Sequence, residues 1–211
     1  MAHLVLLGDS IFDNARYTES GPDVIAQVRQ LLPLDWRATL LAVDGATTEH
    51  IPAQLARMPP SASHLVLSVG GNNAIQNMAL LHMPATSASD VLLEMARISL
   101  TFEEEYRSVI KACRHVGLPL TVCTIYNCNF VDEDLKRKVL VALMTFNDVI
   151  LRAGIEFGLA VIDLRLVCSS SSDYANPIEP SSAGGAKIAR AIVNSMTSGR
   201  APDTGARVFI A

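Results

Sequence analysis

Apolar runs and helix-period stripes alternate along the whole chain. Five short runs dominated by Val and Leu, at residues 3–7, 37–43, 64–69, 119–124 and 160–163, read as strands. They show little apolar–polar alternation, as expected of parallel strands covered on both faces. Between them apolar residues recur three and four apart. The segment 22–32 puts Val24, Ile25, Val28, Leu31 and Leu32 on one helical face, with Pro22 suited to an early helical position. A shorter helix is predicted over 48–58, before the turn at Pro59-Pro60. Two long helices are predicted over 89–115, stopped by Gly117, and over 132–157; a last one covers 181–195. This alternation predicts an α/β fold, a three-layer α/β/α domain with a parallel five-stranded sheet, formed by residues 1–211 as one unit. The stretch 77–87 has no helical period and is rich in Met and Leu, which suits either core or a lip over a site. The tail 201–211 is read as extended coil or a short edge strand.

Composition narrows the class. With 211 residues, half of them hydrophobic, the chain can bury a full core. Its formal net charge is −4 and no run of like charge appears, so no nucleic-acid partner is expected. Apolar stretches are interrupted well short of the ~18 residues of a membrane span, so no membrane partner is expected either. Met1-Ala2-His3 leads directly into a short strand, without a basic leader or a signal-peptide core, and a cytoplasmic location follows as the expectation. Cys113, Cys123, Cys128 and Cys168 fit no metal-ligand spacing and read as free thiols; neither a metal nor another cofactor is expected. The oligomeric state is not legible.

Candidate chemistry sits where strands end. Gly8-Asp9-Ser10 closes the first strand on a turn that presents a hydroxyl. Asp44-Gly45-Ala46-Thr47, Gly70-Gly71-Asn72-Asn73 and the stretch 176–184 follow later elements. A doubly wound sheet forms its ligand crevice at such strand ends. A serine offers a nucleophile, and glycine turns with an asparagine offer N–H donors to an oxyanion. Each also has an ordinary reading: Ser10 as a capping hydroxyl, Asp9 as a backbone-bonding turn residue, Gly45 as a turn glycine and Asn72 as an Asx turn.

Taken in order, these blocks resemble the GDSL, or SGNH, hydrolase family of esterases and lipases, over nearly the whole chain. The resemblance implies a flavodoxin-like SGNH fold, Ser10 as nucleophile, and an oxyanion hole from the Ser10 N–H, Gly45 and Asn72. Asn73 stands where the family usually has Asp, a local structural change. In the last block, Glu179-Pro180-Ser181-Ser182-Ala183-Gly184 matches the family's H-P-S-x-x-G, which sets Glu179 at the histidine position and Asn176 at the aspartate position. Sliding by three would put Asp173 and Asn176 there instead and lose the P-S-x-x-G match. In neither register is a histidine present, since the last one in the chain is His115.

A glutamate is an intrinsically weaker base than histidine, by about two pKa units, and burial narrows that gap. Glu179 is therefore read as the provisional base, against the alternative of a solvated carboxylate favoured by a helix start. Asn176 is read as a hydrogen-bonding neighbour of Glu179 or of substrate, and Asp9 as a further nearby carboxylate. His82, in the irregular stretch, is the reserve candidate for a base. Two functions follow. One is a serine esterase or acylhydrolase cleaving a small acyl or acetyl ester through an acyl-Ser10 intermediate. The other is a catalytically impaired relative that binds a carbohydrate or acylated ligand.

Overall fold

The computed structural model describes residues 2–197; the predicted 201–211 tail lies outside them. Five strands, β1 Ala2–Gly8, β2 Trp36–Leu40, β3 His64–Ser68, β4 Leu120–Cys123 and β5 Ala160–Ile162, form one sheet in the order β2-β1-β3-β4-β5. Every pairing is parallel. The helices are α1 Val24–Leu31, α2 Ile51–Leu55, α3 Gly71–Gln76, α4 Ala88–His115, α5 Glu133–Glu156, α6 Leu164–Val167 and α7 Ser182–Thr197.

The central strand shows why the sheet is covered twice. Leu4 and Leu6 of β1 pack with α1, α6 and α7, whereas Val5 and Leu7 pack with α2, α4 and α5, and all four are fully buried. A strand with both pleat faces in a core must be apolar throughout, as β1 is. Burying each such side chain contributes about 1.5–3 kcal/mol. The expected three-layer α/β/α fold is therefore present.

Element ends differ from expectation for local reasons. Asp23, not Pro22, begins α1: its carboxylate accepts from the Ala26 N–H at 2.8 Å, and Pro22 precedes the cap. β2 stops at Leu40, because the N–H groups of Leu41 and Ala42 both turn to the Leu6 carbonyl, at 2.9 and 3.0 Å. The helix expected over 48–58 is a 3-10 turn, Thr48–His50, followed by the short α2. In the stretch 77–87, residues Met78–His82 form another 3-10 turn, and Ser87 and Asp90 then make the capping box that starts α4. The sequence reading missed α3 and α6, six and four residues long, which are too short to show a period. Among the described residues no helix is long and apolar enough to cross a membrane.

β1 is followed in sequence by β2 on one side, while β3 pairs on its other side. The carboxyl ends of β1 and β3 thus border the point where strand order reverses, the crevice such sheets use for ligands.

Candidate active site

The crevice is built first from backbone. Gly8 ends β1 at φ +131°, and a Cβ there would lie 1.8 Å from the Ser68 carbonyl oxygen of β3. Gln54 of α2 clamps the same residue, accepting from the Gly8 N–H and donating to its carbonyl, both at 2.8 Å. The chain then tightens into a turn. Phe12 and Asp13 N–H groups reach the Asp9 carbonyl at 3.1 Å, and the Ile11 N–H donates to Asp9 Oδ1 at 3.1 Å. This turn aims Ser10 into a pocket.

Glu179 reaches the pocket from the other end of the chain. The loop before α7 folds back on itself through an antiparallel bridge between Tyr174 and Pro180. Asn176 Oδ1 accepts from the N–H groups of Ile178 and Glu179, both at 3.0 Å. Asn14, fully buried, ties this loop to the first block: it donates to the Pro180 carbonyl at 3.2 Å and accepts from the Val24 N–H at 2.9 Å. Sequence reasoning missed Asn14 and Gln54, since nothing marks a buried amide that bonds only to distant backbone.

Asp9, Ser10, Asn72 and Glu179 all line one pocket. Burial pushes the Glu179 carboxyl from 4.5 up to about 6, against the opposing influence of the nearby Ser10 hydroxyl, and Glu179 Oε2 is buried without a partner. Burial likewise raises Asp9 to about 7; the Ile11 N–H opposes this and the charge of Glu179 adds to it. The two acids share a dry environment in which ionising both is costly.

The oxyanion candidates divide. Asn72 Nδ2 donates to the Ala46 carbonyl at 2.9 Å, which fixes the amide and leaves its second N–H for another acceptor. Among the described residues, the backbone N–H groups of Ser10 and Gly45 have no hydrogen-bond partner. Gly45 itself is exposed, at φ +80° in the neighbouring turn, and is not part of the pocket lining. Beside it Asp44 accepts from Tyr17 Oη at 2.9 Å and from Arg16 at 3.1 Å. Burial first, then that bond, lifts the Tyr17 phenol to about 12.

Asn73 has a structural role. Its Nδ2 donates to Thr48 Oγ1 at 2.8 Å and to Glu105 of α4 at 3.0 Å, and its Oδ1 accepts from the Thr48 N–H at 3.2 Å. Thr48 Oγ1 also donates to Glu105, at 2.8 Å. The carboxylate in this network therefore comes from α4.

No histidine among the described residues lines the pocket. His82 is exposed, and His50 Nδ1 is engaged with Thr47 at 3.0 Å. All four cysteines are free and buried, and only Cys128 lines the pocket. Among the described residues no group of three or more His, Cys, Asp or Glu is placed to hold a metal ion.

Away from these few polar groups the pocket is apolar, walled by α3, the 3-10 turn Met78–His82, α4 and α5. It offers about 110 Å³ to the centres of water-sized spheres, well beyond what a single water needs.

The model of the GDSL-like lipase/acylhydrolase family matches residues 6–187. The chain belongs to this family. Comparison with curated protein sequences returns no match. Solved structures similar to this GDSL-family chain include an extracellular lipase from Streptomyces rimosus, at 17% identity and TM-score 0.65, covering 94% of this chain and 99% of that one. A phospholipase A1 from Streptomyces albidoflavus is similar at 15% identity and TM-score 0.65, covering 93% and 98%. An acetyl xylan esterase from Geobacillus stearothermophilus matches at 16% identity and TM-score 0.68, covering 93% and 94%. At such identities the likeness is one of fold, and the fold is that of the SGNH hydrolases.

Proposed function

We propose that this GDSL-family protein is a serine esterase in which Glu179 acts as the base for Ser10. One observation carries the reading: Ser10 and Glu179 line the same pocket, where burial has lifted the Glu179 carboxyl to about 6. An ordinary histidine titrates near 6.5, so the dry pocket removes most of the handicap of a glutamate.

In this mechanism Ser10 Oγ attacks the ester carbonyl carbon while Glu179 takes the hydroxyl proton. The tetrahedral oxyanion is held by the Asn72 amide and the Ser10 N–H, while Gly45, outside the pocket lining, takes no part. Its collapse breaks the ester C–O bond, and the alcohol leaves with the proton from Glu179. Water then attacks the acyl-Ser10 carbonyl and gives a proton to Glu179. The second collapse releases the carboxylic acid and returns that proton to Ser10.

The charge pattern differs from that of a histidine base. Negative charge moves from Glu179 to the oxyanion, and no imidazolium forms. A buried aspartate partner, whose work is to stabilise that cation, has no task here. Asn176 in its place supports Glu179 through the backbone, by the two bonds to Oδ1.

The test is covalent capture. A serine-directed phosphonate fluoride should add to Ser10, read as an intact-mass increase that is absent in Ser10→Ala and strongly slowed in Glu179→Gln. No labelling anywhere between pH 5 and 9 would favour the second reading, a non-hydrolytic binder. For that reading the apolar walls support an acylated ligand over a carbohydrate, because they offer few partners for sugar hydroxyls.

A further inference from the structure

Every backbone polar group around Glu179 is spoken for. Pro177 and Pro180 have no N–H, so the segment 177–180 carries two such donors, those of Ile178 and Glu179, and Asn176 Oδ1 takes both. Its four carbonyls each have a separate donor. The Asn129 N–H reaches Pro177 at 2.8 Å, the Tyr126 hydroxyl Ile178 at 2.7 Å, the Ala175 N–H Glu179 at 2.9 Å and Asn14 Nδ2 Pro180 at 3.2 Å.

Tyr126 stands apart in this set, because it comes from the chain just beyond β4 and also lines the pocket beside Ser10 and Glu179. Its own anchor is firm. Asn147 of α5, itself buried, accepts from the Ile125 N–H at 2.8 Å and donates to the Ile125 carbonyl at 2.9 Å. The Tyr126 ring is buried and packs edge-on against Tyr174, with centroids 5.3 Å apart. Burial, with the charge of Glu179 adding to it, holds the phenol well above its usual 10, so it stays a donor.

We infer that Tyr126 is a positioning residue: its hydroxyl, by fixing the Ile178 carbonyl, holds the Glu179 carboxyl in its dry place in the pocket beside Ser10. The inference rests on the esterase reading for its effect on turnover, but the state of the Glu179 carboxyl can be read without turnover. Glu179 Oε2 is buried with no partner, so it stays dry only while its peptide is held. Tyr126→Phe keeps the ring as pocket wall and strands the Ile178 carbonyl against an apolar edge. That carbonyl then has to turn to water, and the loop moves with it.

The groups that sense the Glu179 charge are Asp9, Tyr17 and Tyr126, and Asp44, paired with Arg16, acts on Glu179 in turn. Tyr126→Phe alters none of these charges. A change in the Glu179 titration would therefore report hydration.

The test compares wild type, Tyr126→Phe and Tyr174→Phe. Tyr174 Oη donates to the Asn127 and Cys168 carbonyls, at 2.7 and 3.1 Å, and to none in 177–180, so its variant controls for general loosening. In Tyr126→Phe, kcat for a soluble ester should fall about tenfold with KM within about twofold, since the wall is intact. Its pH limb should move from about 6 down to about 5 as water reaches the carboxyl. Carbon-13 NMR of glutamate-labelled protein, with the signal assigned by its loss in Glu179→Gln, should show the same downward move. Tyr174→Phe should leave limb and signal in place, and thermal denaturation checks that both variants are folded.

A limb and a signal that stay near 6 in Tyr126→Phe, or that move equally in both variants, would overturn the positioning role. A moved signal in a protein that neither cleaves esters nor takes the phosphonate would sink the esterase reading and leave that role standing. Ester hydrolysis that needs Ser10 and Glu179, with the signal unmoved by Tyr126→Phe, would do the reverse.

Discussion

Lys187 of α7 donates to Asp173 Oδ2 at 2.8 Å, and this ion pair draws the one acidic side chain nearest the last block away from the nucleophile. Asp173 is buried and also accepts from the N–H groups of Ser169 and Ser170, at 3.0 and 2.9 Å. Its carboxylate is therefore committed to shaping the loop that carries Glu179, and its carbonyl takes the Ser181 N–H at 2.9 Å. It is not among the residues lining the pocket. This supports the register that sets Glu179, rather than Asn176, opposite Ser10.

The pair makes a stability prediction with a definite sign. Burial pushes the Asp173 pKa up, but Lys187 and the two N–H groups prevail and hold it below its ordinary value. A lowered folded pKa stabilises the fold above the unfolded value, near 3.8, and that contribution fades as pH falls through the folded value. Lys187→Met should cost about 1–3 kcal/mol at pH 7, because it leaves a buried charge short of a partner. The difference should shrink as pH falls below the unfolded value and through the lowered folded one. Urea denaturation of both proteins at pH 7 and in acid reads it.

The catalytic prediction concerns Glu179. Its raised carboxyl must lose a proton to act as a base, so kcat/KM for a soluble ester should climb through a limb near pH 6 and then level. Glu179→Gln should lower the plateau by about a hundredfold to ten-thousandfold, the usual worth of a general base. A limb that survives in Glu179→Gln would move the base elsewhere.

Much of this was legible in the chain because strong periodicity is a local signal. β1 and the long stripes of α4 and α5 follow from their own residues. Ser10 and Asn72 were legible because each sits at the end of a strand whose position the pattern fixes. The buried state of Glu179 was not, since it depends on a loop held by Asn14, near the opposite end of the chain, and by Asn176. Likewise nothing local distinguishes Asp173 bonded to Lys187 from Asp173 facing a nucleophile. The stretch 77–87 read equally as core or lip; it borders the pocket only because α4 and α5 supply the opposite walls.

Asn176 offers a test of positioning. Its Oδ1 holds two backbone N–H groups, one of them that of Glu179, so Asn176→Ala should free the loop at a cost of about 1 kcal/mol. Turnover should fall about tenfold, since a small misplacement of a catalytic group is costly. Asn176→Asp keeps the acceptor and should recover most of the loss. Steady-state kinetics of the three proteins decide it: a fall that Asp does not rescue would give the amide N–H₂ a role of its own.

Asp9 carries the last prediction. The residue is 2% exposed and burial raises its carboxyl from 3.8 to about 7, the opposite direction from Asp173. A raised folded pKa means the folded state holds its proton more tightly than the unfolded chain. The associated stability is full below about pH 4 and is lost as pH rises through 7, where the folded protein must bury an ionised group. An asparagine side chain at this position would keep an oxygen for the Ile11 N–H and remove the ionisation. Asp9→Asn should therefore gain about 1–3 kcal/mol over wild type at pH 8.5 and much less at pH 5. Glu179, also raised, loses stability over a lower pH range, and the double variant Asp9→Asn, Glu179→Gln should flatten the dependence further. The two carboxyls repel each other, so the double variant should gain less at pH 8.5 than the two single gains added. Thermal denaturation of the four proteins across pH 5–8.5 measures both effects. Strict additivity would mean that the acids do not sense each other, and the shared dry site would have to be abandoned.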